Sequence, residues 1–441
     1  MKLSIKELLE VTQGKLIKGE NLDEKFSIST DTRSITTENI FLPLKGANFD
    51  GHDYIDEAIN QGCKAYFIDK EHKPSSKAVE FVISVDDTLS AYLKAANYVR
   101  KKINPVVVAI TGSSGKTSTK EFISSVLSTS FITHKSALNH NNEVGLCQTL
   151  FSMPESCEYA VIEMGMRGLG EIELLSKYSE PDIAVITNIG TSHIGRLGSV
   201  ENIAKAKYEI TSYLKDKGTL LAFDDELTKK YCNWQAKKIF YGKEYEIISE
   251  KEDSTEFVYE NEQYIIPVVG KYNVVNSIAA IEIGKLAGIS YENLKKGLLN
   301  YIPVGERGTV IDTNNNIKFV VDCYNANPDS VMASIDSVIS VYKNSKVVLV
   351  LGDMAELGEF EEQMHRKVGQ FIAEKSVHSL ITVGQKAELI AETAGEAINK
   401  RSFSNNAEAA EFLQNYLEKD TVVLLKGSRC MKMEEIANYL K

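Results

Sequence analysis

The chain has 441 residues, enough for about three domains at the usual ~150 residues each. Hydrophobic residues make up 43% and charged residues 25%, the balance of a globular protein with a sizeable core, which excludes disorder as the main state. The net charge is −11, and residues 1–100, 101–308 and 309–441 are each net negative, which excludes a general nucleic-acid or anionic-membrane surface because both need a positive face.

The opening MKLSIKELLEVTQGK breaks its apolar residues with Lys and Glu and reads as an amphipathic helix, not a signal peptide. FSISTDTRS and IFLPLKG then predict two strands around a polar turn; YIDEAINQG predicts a helix, and KAYFID and EFVISV further strands. The helix DDTLSAYLKAANYVRKKI ends at Asn104-Pro105, so a first domain is expected over 1–100. From PVVVAI onward, apolar runs (YAVIEMG, DIAVITNIG, GTLLAF) alternate with helical patterns, the signature of a parallel sheet covered on both faces. Residues 243–262 are charged and predict an exposed hairpin or insertion. VVNSIAAIEIGKLAG and YENLKKGLLNY close a second domain expected over 101–308. IKFVVDCY, KVVLVLGD, SLITVG and TVVLLKG repeat the strand–helix pattern in a third, 309–441. The fold class expected is α/β: a central parallel-sheet P-loop domain flanked by a small N-terminal α/β domain and a Rossmann-like C-terminal one.

The six cysteines are scattered, with no C-x-x-C pair, against both a disulfide framework and a structural zinc site. No apolar run approaches the roughly 20 residues that span a bilayer. A reducing, cytoplasmic setting and no membrane insertion are expected.

Thr111-Gly112-Ser113-Ser114-Gly115-Lys116-Thr117 follows the strand PVVVAI and opens a helix, the context a phosphate-binding loop requires. Glycines let the backbone wrap so that N–H groups face phosphate oxygens, and the helix N-terminus adds partial positive charge. Gly112, Ser113, Ser114, Gly115, Lys116, Thr117 and Ser118 are therefore the nucleotide-binding candidates, with Lys116 reaching the β- and γ-phosphates and Thr117 a Mg2+ ion. The spacing departs from the general motif, because Ile110 stands where its first glycine belongs. Glu163 ends the strand YAVIE and His193 follows DIAVITNIG, both at strand ends where open α/β sheets bind ligands.

The shortened loop resembles that of the Mur ligase family of ATP-dependent amide-forming ligases, and the resemblance runs over nearly the whole chain. It is carried by DTRSITTENIFLPLKGANFDGHDYIDEA (31–58), NHNNEVGLCQTL (139–150), VIEMGMRGLGEI (161–172), NIGTSHIGRLGSVENIAKAKYEI (188–210), VVDCYNANPDSVMASI (320–335), VLGDMAELGEFEEQMH (350–365) and LLKGSR (424–429). Within the family, DCYNANP is similar to the branch that adds D-Ala-D-Ala to UDP-N-acetylmuramoyl-tripeptide. The resemblance implies ATP and Mg2+ as cofactors, those two molecules as substrates, peptidoglycan precursor synthesis as the role, and a monomer.

It also implies residue roles. Thr117, Glu163, His193 and a carbamylated Lys207 would hold metal; Lys205, about 200° away on the same helix, would not share that face. Asn273 would contact adenine, in a segment with Tyr272 where relatives usually carry His, and Asp322 the ribose. Arg307 would stabilise charge on the γ-phosphoryl group during transfer. Asp31, Arg33, Lys45, Asn48, Asp50 and His52 would bind the UDP end, although Asn, Asp and Gly also serve plain turns. Asn139 and Asn142 would lie near substrate and nucleotide, with Tyr324, Asn325 and Asn327 close to Asp322. Lys426, Ser428 and Arg429 would take peptide carboxylates. Cys147, where relatives usually have Pro, reads as a small buried residue, and Asp353 and Glu356 have no role in this reading. Two alternatives stay open: a ligase of the same group with another amino acid or folate substrate, and a P-loop NTPase switch.

Overall fold

A computed structural model describes every residue except 138, 306, 314, 315 and 441, and the side chain of Arg307. Among the described residues the strands form three six-stranded sheets and one three-stranded sheet.

The first sheet orders its strands Leu3–Ser4, Lys25–Ser29, Asn39–Phe41, Ala65–Ile68, Phe81–Ser84 and Lys15–Lys18; the inner four run parallel and the two flanking ones antiparallel. The helix expected at the start is Ile5–Thr12, begun by a capping box in which the Ser4 hydroxyl accepts from Glu7 N–H and the Glu7 carboxylate from Ser4 N–H. Residue 100, the expected domain break, lies inside the helix Thr88–Ile103. Arg100 is buried there and donates to the carbonyls of Ser179 and Glu180 at 2.9 Å, so this helix is packed on the second domain.

The central sheet is wholly parallel, in the spatial order Lys238–Tyr241, Thr219–Phe223, Ile183–Ile186, Val106–Thr111, Tyr159–Glu163, Thr133–Lys135. Its four inner strands are largely continuous apolar runs because helices cover both faces. The first strand in sequence, Val106–Thr111, has neighbours on both sides, so the strand order reverses at its carboxyl end and opens a crevice there. The stretch 243–262 is not an isolated exposed hairpin. It lies within a three-stranded antiparallel sheet, Tyr245–Glu250, Thr255–Tyr259 and Glu262–Ile266, whose Phe257, Tyr259, Tyr264 and Ile266 are buried in one core with the helix Lys271–Leu286.

The last sheet runs Arg307–Asp312, Lys318–Asp322, Thr421–Lys426, Lys346–Gly352, Ser379–Val383, Asn399–Phe403, parallel but for its first pair. Its carboxyl edge, with Asp322 and Lys426, faces the crevice of the central sheet. All six cysteines are free thiols; Cys147 is fully buried, and burial pushes its thiol far above the ordinary range. No helix among the described residues is long and apolar enough to cross a membrane.

Candidate active site

The loop Gly112–Gly115 joins the apolar strand Val106–Thr111 to the helix Lys116–Leu127. A side chain at Gly112 has no room: a Cβ there would sit 1.8 Å from Thr187 Oγ1. The loop is held from the neighbouring strand end. Asn188 Oδ1 accepts from the N–H groups of Ser113 and Ser114, each at 3.0 Å, and the Thr187 hydroxyl donates to Ser114 O at 2.6 Å. Lys116 Nζ folds back and donates to Gly112 O at 2.7 Å.

Thr117 and Glu163 meet as the strand-end reasoning requires. The Thr117 hydroxyl donates to Glu163 Oε2 at 2.9 Å, and Asn141 Nδ2 donates to Glu163 Oε1 at 3.2 Å. Lys120, with no exposed surface, lies behind them: its Nζ is 3.8 Å from Glu163 Oε2, 3.2 Å from Glu121 Oε1, and donates to Ser136 O at 2.9 Å. Lys207 is buried in the same wall, and burial together with the nearby Lys116 holds its amine well below the ordinary lysine value. Burial likewise lowers His193, with Lys116 adding to the effect and Glu356 opposing it. His193 Nδ1 is 2.8 Å from Glu356 Oε2.

One cavity of about 690 Å³ unites these groups. It is lined by Thr111–Ser118, Asn139, Asn142, Glu163, His193, Lys207 and Asn273 from the central domain, and by Asp322, Tyr324, Asn325, Asn327 and Lys426 from the last. Asn273 spends its amide on Val269 O at 2.7 Å, next to Tyr272 and Phe223 in the same wall. Asp322 and Lys426 pair with each other, Nζ to Oδ2 at 2.6 Å, and the Ser334 hydroxyl donates to the same oxygen. Asn327 caps the helix Pro328–Val341 and donates to Ser192 Oγ at 2.7 Å. Asn142 caps the helix Glu143–Phe151.

Other candidates lie elsewhere. Asp31, Arg33, Lys45, Asn48, Asp50 and His52 belong to the first domain and do not line this cavity. Asp31 accepts two side-chain bonds from exposed Arg33, whose guanidinium holds the carboxyl down at about 2. Lys45 lies 3.6 Å from Glu71, and Asn48 is exposed. Asp50, His52, Asp69 and His72 form a closed ring of contacts: His52 Nδ1 to Asp50 and His72 Nδ1 to Asp69, both 2.7 Å, with the imidazoles stacked at 4.0 Å and 3°. These contacts tie His72 and Asp69 to the turn closed by the Lys45–Asp50 bridge. Ser428 Oγ accepts from Ala355 N–H, and Arg429 pairs with Glu434 at 2.8 Å. The side chain of Arg307 lies outside the described residues.

Asn141, Asn188, Thr187, Lys120 and Asn276 were not singled out from the sequence, yet all bond to the loop, its helix or Glu163. Thr187 and Asn188 follow a strand directly, so the strand-end rule that selected Glu163 selects them too.

Known proteins are similar to this chain in sequence and fold. Three family profiles cover the chain: "Mur ligase family, catalytic domain" at 27–107, "Mur ligase middle domain" at 110–284, and "Mur ligase, glutamate ligase domain" at 306–429. The UDP-N-acetylmuramoyl-tripeptide–D-alanyl-D-alanine ligase of Bacillus subtilis is 38% identical, covering 100% of this chain and 98% of its own. That of Haemophilus influenzae is 34% identical, covering 100% and 99%. Among solved structures, MurF from Acinetobacter baumannii superposes with a TM-score of 0.90 at 29% identity over 100% of this chain and 99% of its own. MurF from Thermotoga maritima, solved with ADP, gives 0.83 at 25% over 94% and 97%. The chain belongs to the Mur ligase family.

Proposed function

We propose that this chain is an ATP-dependent carboxylate–amine ligase that adds D-Ala-D-Ala to UDP-N-acetylmuramoyl-tripeptide, completing the UDP-N-acetylmuramoyl-pentapeptide precursor of peptidoglycan. The observation that carries the reading is the shared cavity: a phosphate loop on one side and the carboxyl edge of the last sheet on the other, in a chain that matches such ligases from end to end.

A carboxylate is a poor electrophile, so ATP first transfers its γ-phosphoryl group to the tripeptide carboxylate, giving an acyl phosphate and ADP. The dipeptide amine attacks that carbonyl, and the tetrahedral oxyanion collapses with loss of phosphate. Proximity of three substrates and exclusion of water are what the protein must supply. Asn188 holds the N–H groups of Ser113 and Ser114, so those of Gly115, Lys116 and Thr117 at the helix start are the ones that cradle the phosphates, and Lys116 exchanges Gly112 O for phosphate oxygens. Tyr272 and Asn273 take the adenine end, Asp322 the ribose, and the first domain, through Asp31, Arg33, Lys45, Asn48, Asp50 and His52, the UDP moiety. Asn139, Asn142, Tyr324, Asn325 and Asn327 border the reacting groups, and Lys426, Ser428 and Arg429 lie at the end of the last sheet that receives the dipeptide.

The donor set fits Mg2+. Thr117 Oγ1 and Glu163 Oε2 are hard oxygen donors held 2.9 Å apart beside the phosphate loop, and would hold the ion. When bound, Mg2+ neutralises charge on the phosphates. Lys207 fits carbamylation for a related reason. Burial and the nearby Lys116 lower the Lys207 amine, which favours the free amine that CO2 addition needs; the carbamate, formed with release of a proton, would be an anionic group beside His193 able to help hold the metal. Lys207→Ala with full activity and no bicarbonate dependence would sink this step. The expected breaks near 100 and 308 shift to the end of the helix Thr88–Ile103 and the start of the strand Arg307–Asp312, giving three domains in a cytoplasmic monomer.

The test is mass spectrometry of products from ATP, Mg2+, UDP-N-acetylmuramoyl-tripeptide and D-Ala-D-Ala. Amide formation matched by ADP and phosphate is expected. Ligation of a different amino acid would move the chain within the family, and amine-independent ATP turnover would favour the NTPase switch.

A further inference from the structure

The loop after the strand Ile183–Ile186 touches two domains at once. On one side it holds the phosphate loop: Gly190 N–H donates to Ser113 Oγ and the Ser192 hydroxyl to Ser113 O, both at 2.8 Å. On the other it is gripped by the last domain at two points. Asp329 Oδ2 accepts from both the N–H and the hydroxyl of Thr191, at 2.9 and 3.0 Å. Glu356 offers its carbonyl to Gly195 N–H at 3.3 Å, and its carboxylate lies 2.8 Å from His193 Nδ1 and 3.6 Å from the Arg196 guanidinium.

The second grip is as close as backbones allow. A Cβ on Gly195 would stand 2.4 Å from Gly358 N, and one on Gly358, at φ +55°, 2.8 Å from Gly195 Cα. Leu357, next to Gly358, is buried in the same core as Ile194 and Leu197. Ser192 links the two sides directly, because its oxygen accepts from Asn327 Nδ2 while its proton goes to the phosphate loop. His193 sits between the grips in a left-handed conformation, φ +64°.

We propose that Asp329 and Glu356 are positioning residues: by docking on the loop 187–198 they set His193 and Ser113 in place, so that phosphoryl transfer waits for the last domain to seat. The inference rests on the ligase reading above, and neither residue touches the reacting atoms. Asp329 works through a single acceptor oxygen, so its charge is dispensable and an amide oxygen serves as well. Gly358 works through absence of bulk.

The experiment compares Asp329→Ala, Asp329→Asn and Gly358→Ala with the wild-type full chain. Displacing reacting groups by about 1 Å costs on the order of 100-fold in rate. The Ala variants are therefore expected to lose at least about 30-fold in kcat, with KM for MgATP changed less than about threefold, since uniform binding is left alone. Asp329→Asn stays within about threefold of wild type in both, because it keeps the acceptor. Small-angle scattering with MgATP should show a larger radius of gyration for both Ala variants than for wild type, with the far-UV circular dichroism of each unchanged. Wild-type kcat and radius in Asp329→Ala, or equal losses in Asp329→Ala and Asp329→Asn, overturn the proposal. Absence of ligation by the wild-type enzyme refutes the functional reading instead, and the scattering comparison still decides the docking.

Discussion

Gly112→Ala is the sharpest perturbation of the phosphate loop. The added Cβ would lie 1.8 Å from Thr187 Oγ1, and rotating that hydroxyl away is not enough, because Thr187 Cβ and Asn188 N follow at 3.0 and 3.2 Å. Relief requires the loop to move by more than 1 Å away from the strand that holds it. Giving up the Thr187–Ser114 hydrogen bond costs about 1 kcal/mol. The residual overpacking adds about 1–3 kcal/mol, for a total of about 2–4. Because the displaced loop leads directly into the helix start whose N–H groups face phosphate, kcat/KM for ATP should fall on the order of 100-fold. A coupled phosphate-release assay gives the second number and urea unfolding the first. Thr187→Ala removes the worst contact, so the double variant should recover part of both losses. A Gly112→Ala enzyme within threefold of wild type in kcat/KM, with the same urea midpoint, would refute the steric reasoning.

Two further outcomes follow from the charges. Glu163→Gln keeps the shape but removes the anion beside Thr117, so the Mg2+ concentration for half-maximal rate should rise at least about tenfold in a metal titration; an unchanged Mg2+ requirement would place the metal elsewhere. His72 is held above its ordinary value by its bond to Asp69, with Asp50 adding to the effect. Its contribution to stability is therefore fully present below pH ~6.5 and lost as pH rises through the raised native value. His72→Gln should lower the thermal midpoint at pH 6 more than at pH 9, and an equal loss at both would mean the ring acts by packing alone.

Local chemistry made the central domain readable. PVVVAI, YAVIE and DIAVIT are apolar without alternation, which only a doubly covered parallel strand tolerates, and Gly-Ser-Ser-Gly-Lys-Thr between strand and helix has few other uses. The sheet at 245–266 was harder, because its charged face hides the alternation: Phe257 and Tyr259 point inward while Glu256 and Glu260 do not. Residue 100 reads as a boundary from Pro105, yet Arg100 is buried against carbonyls some 80 positions later, a contact no local pattern encodes. The same holds for Lys120 behind Glu163. A lysine in TSTKEF reads as solvated, and only the fold shows that its helix face is covered by the strands Thr133–Lys135 and Tyr159–Glu163. Sites built by one strand end are legible; those built by the meeting of two domains, such as Thr191 with Asp329, need the tertiary structure.

The pair Asp322–Lys426 carries the last test of that distinction. Each residue reads alone as a ligand group, one for ribose and one for a carboxylate. Together they are an ion pair at 2.6 Å with Lys426 only 2% exposed. Removing one partner leaves a buried charge, which costs about 3–5 kcal/mol, whereas removing both is far less harmful. The cavity admits water on one side, so the lower end of that range applies here. Asp322→Asn and Lys426→Met should each destabilise by about 3 kcal/mol, and the double variant by clearly less than their sum, a coupling that a double-mutant cycle in urea reads directly. If the two losses simply add, the lysine is not held by this aspartate. If the double variant regains stability but not activity, the pair belongs to the site and not to the scaffold, because the fold then tolerates its absence and the reaction does not.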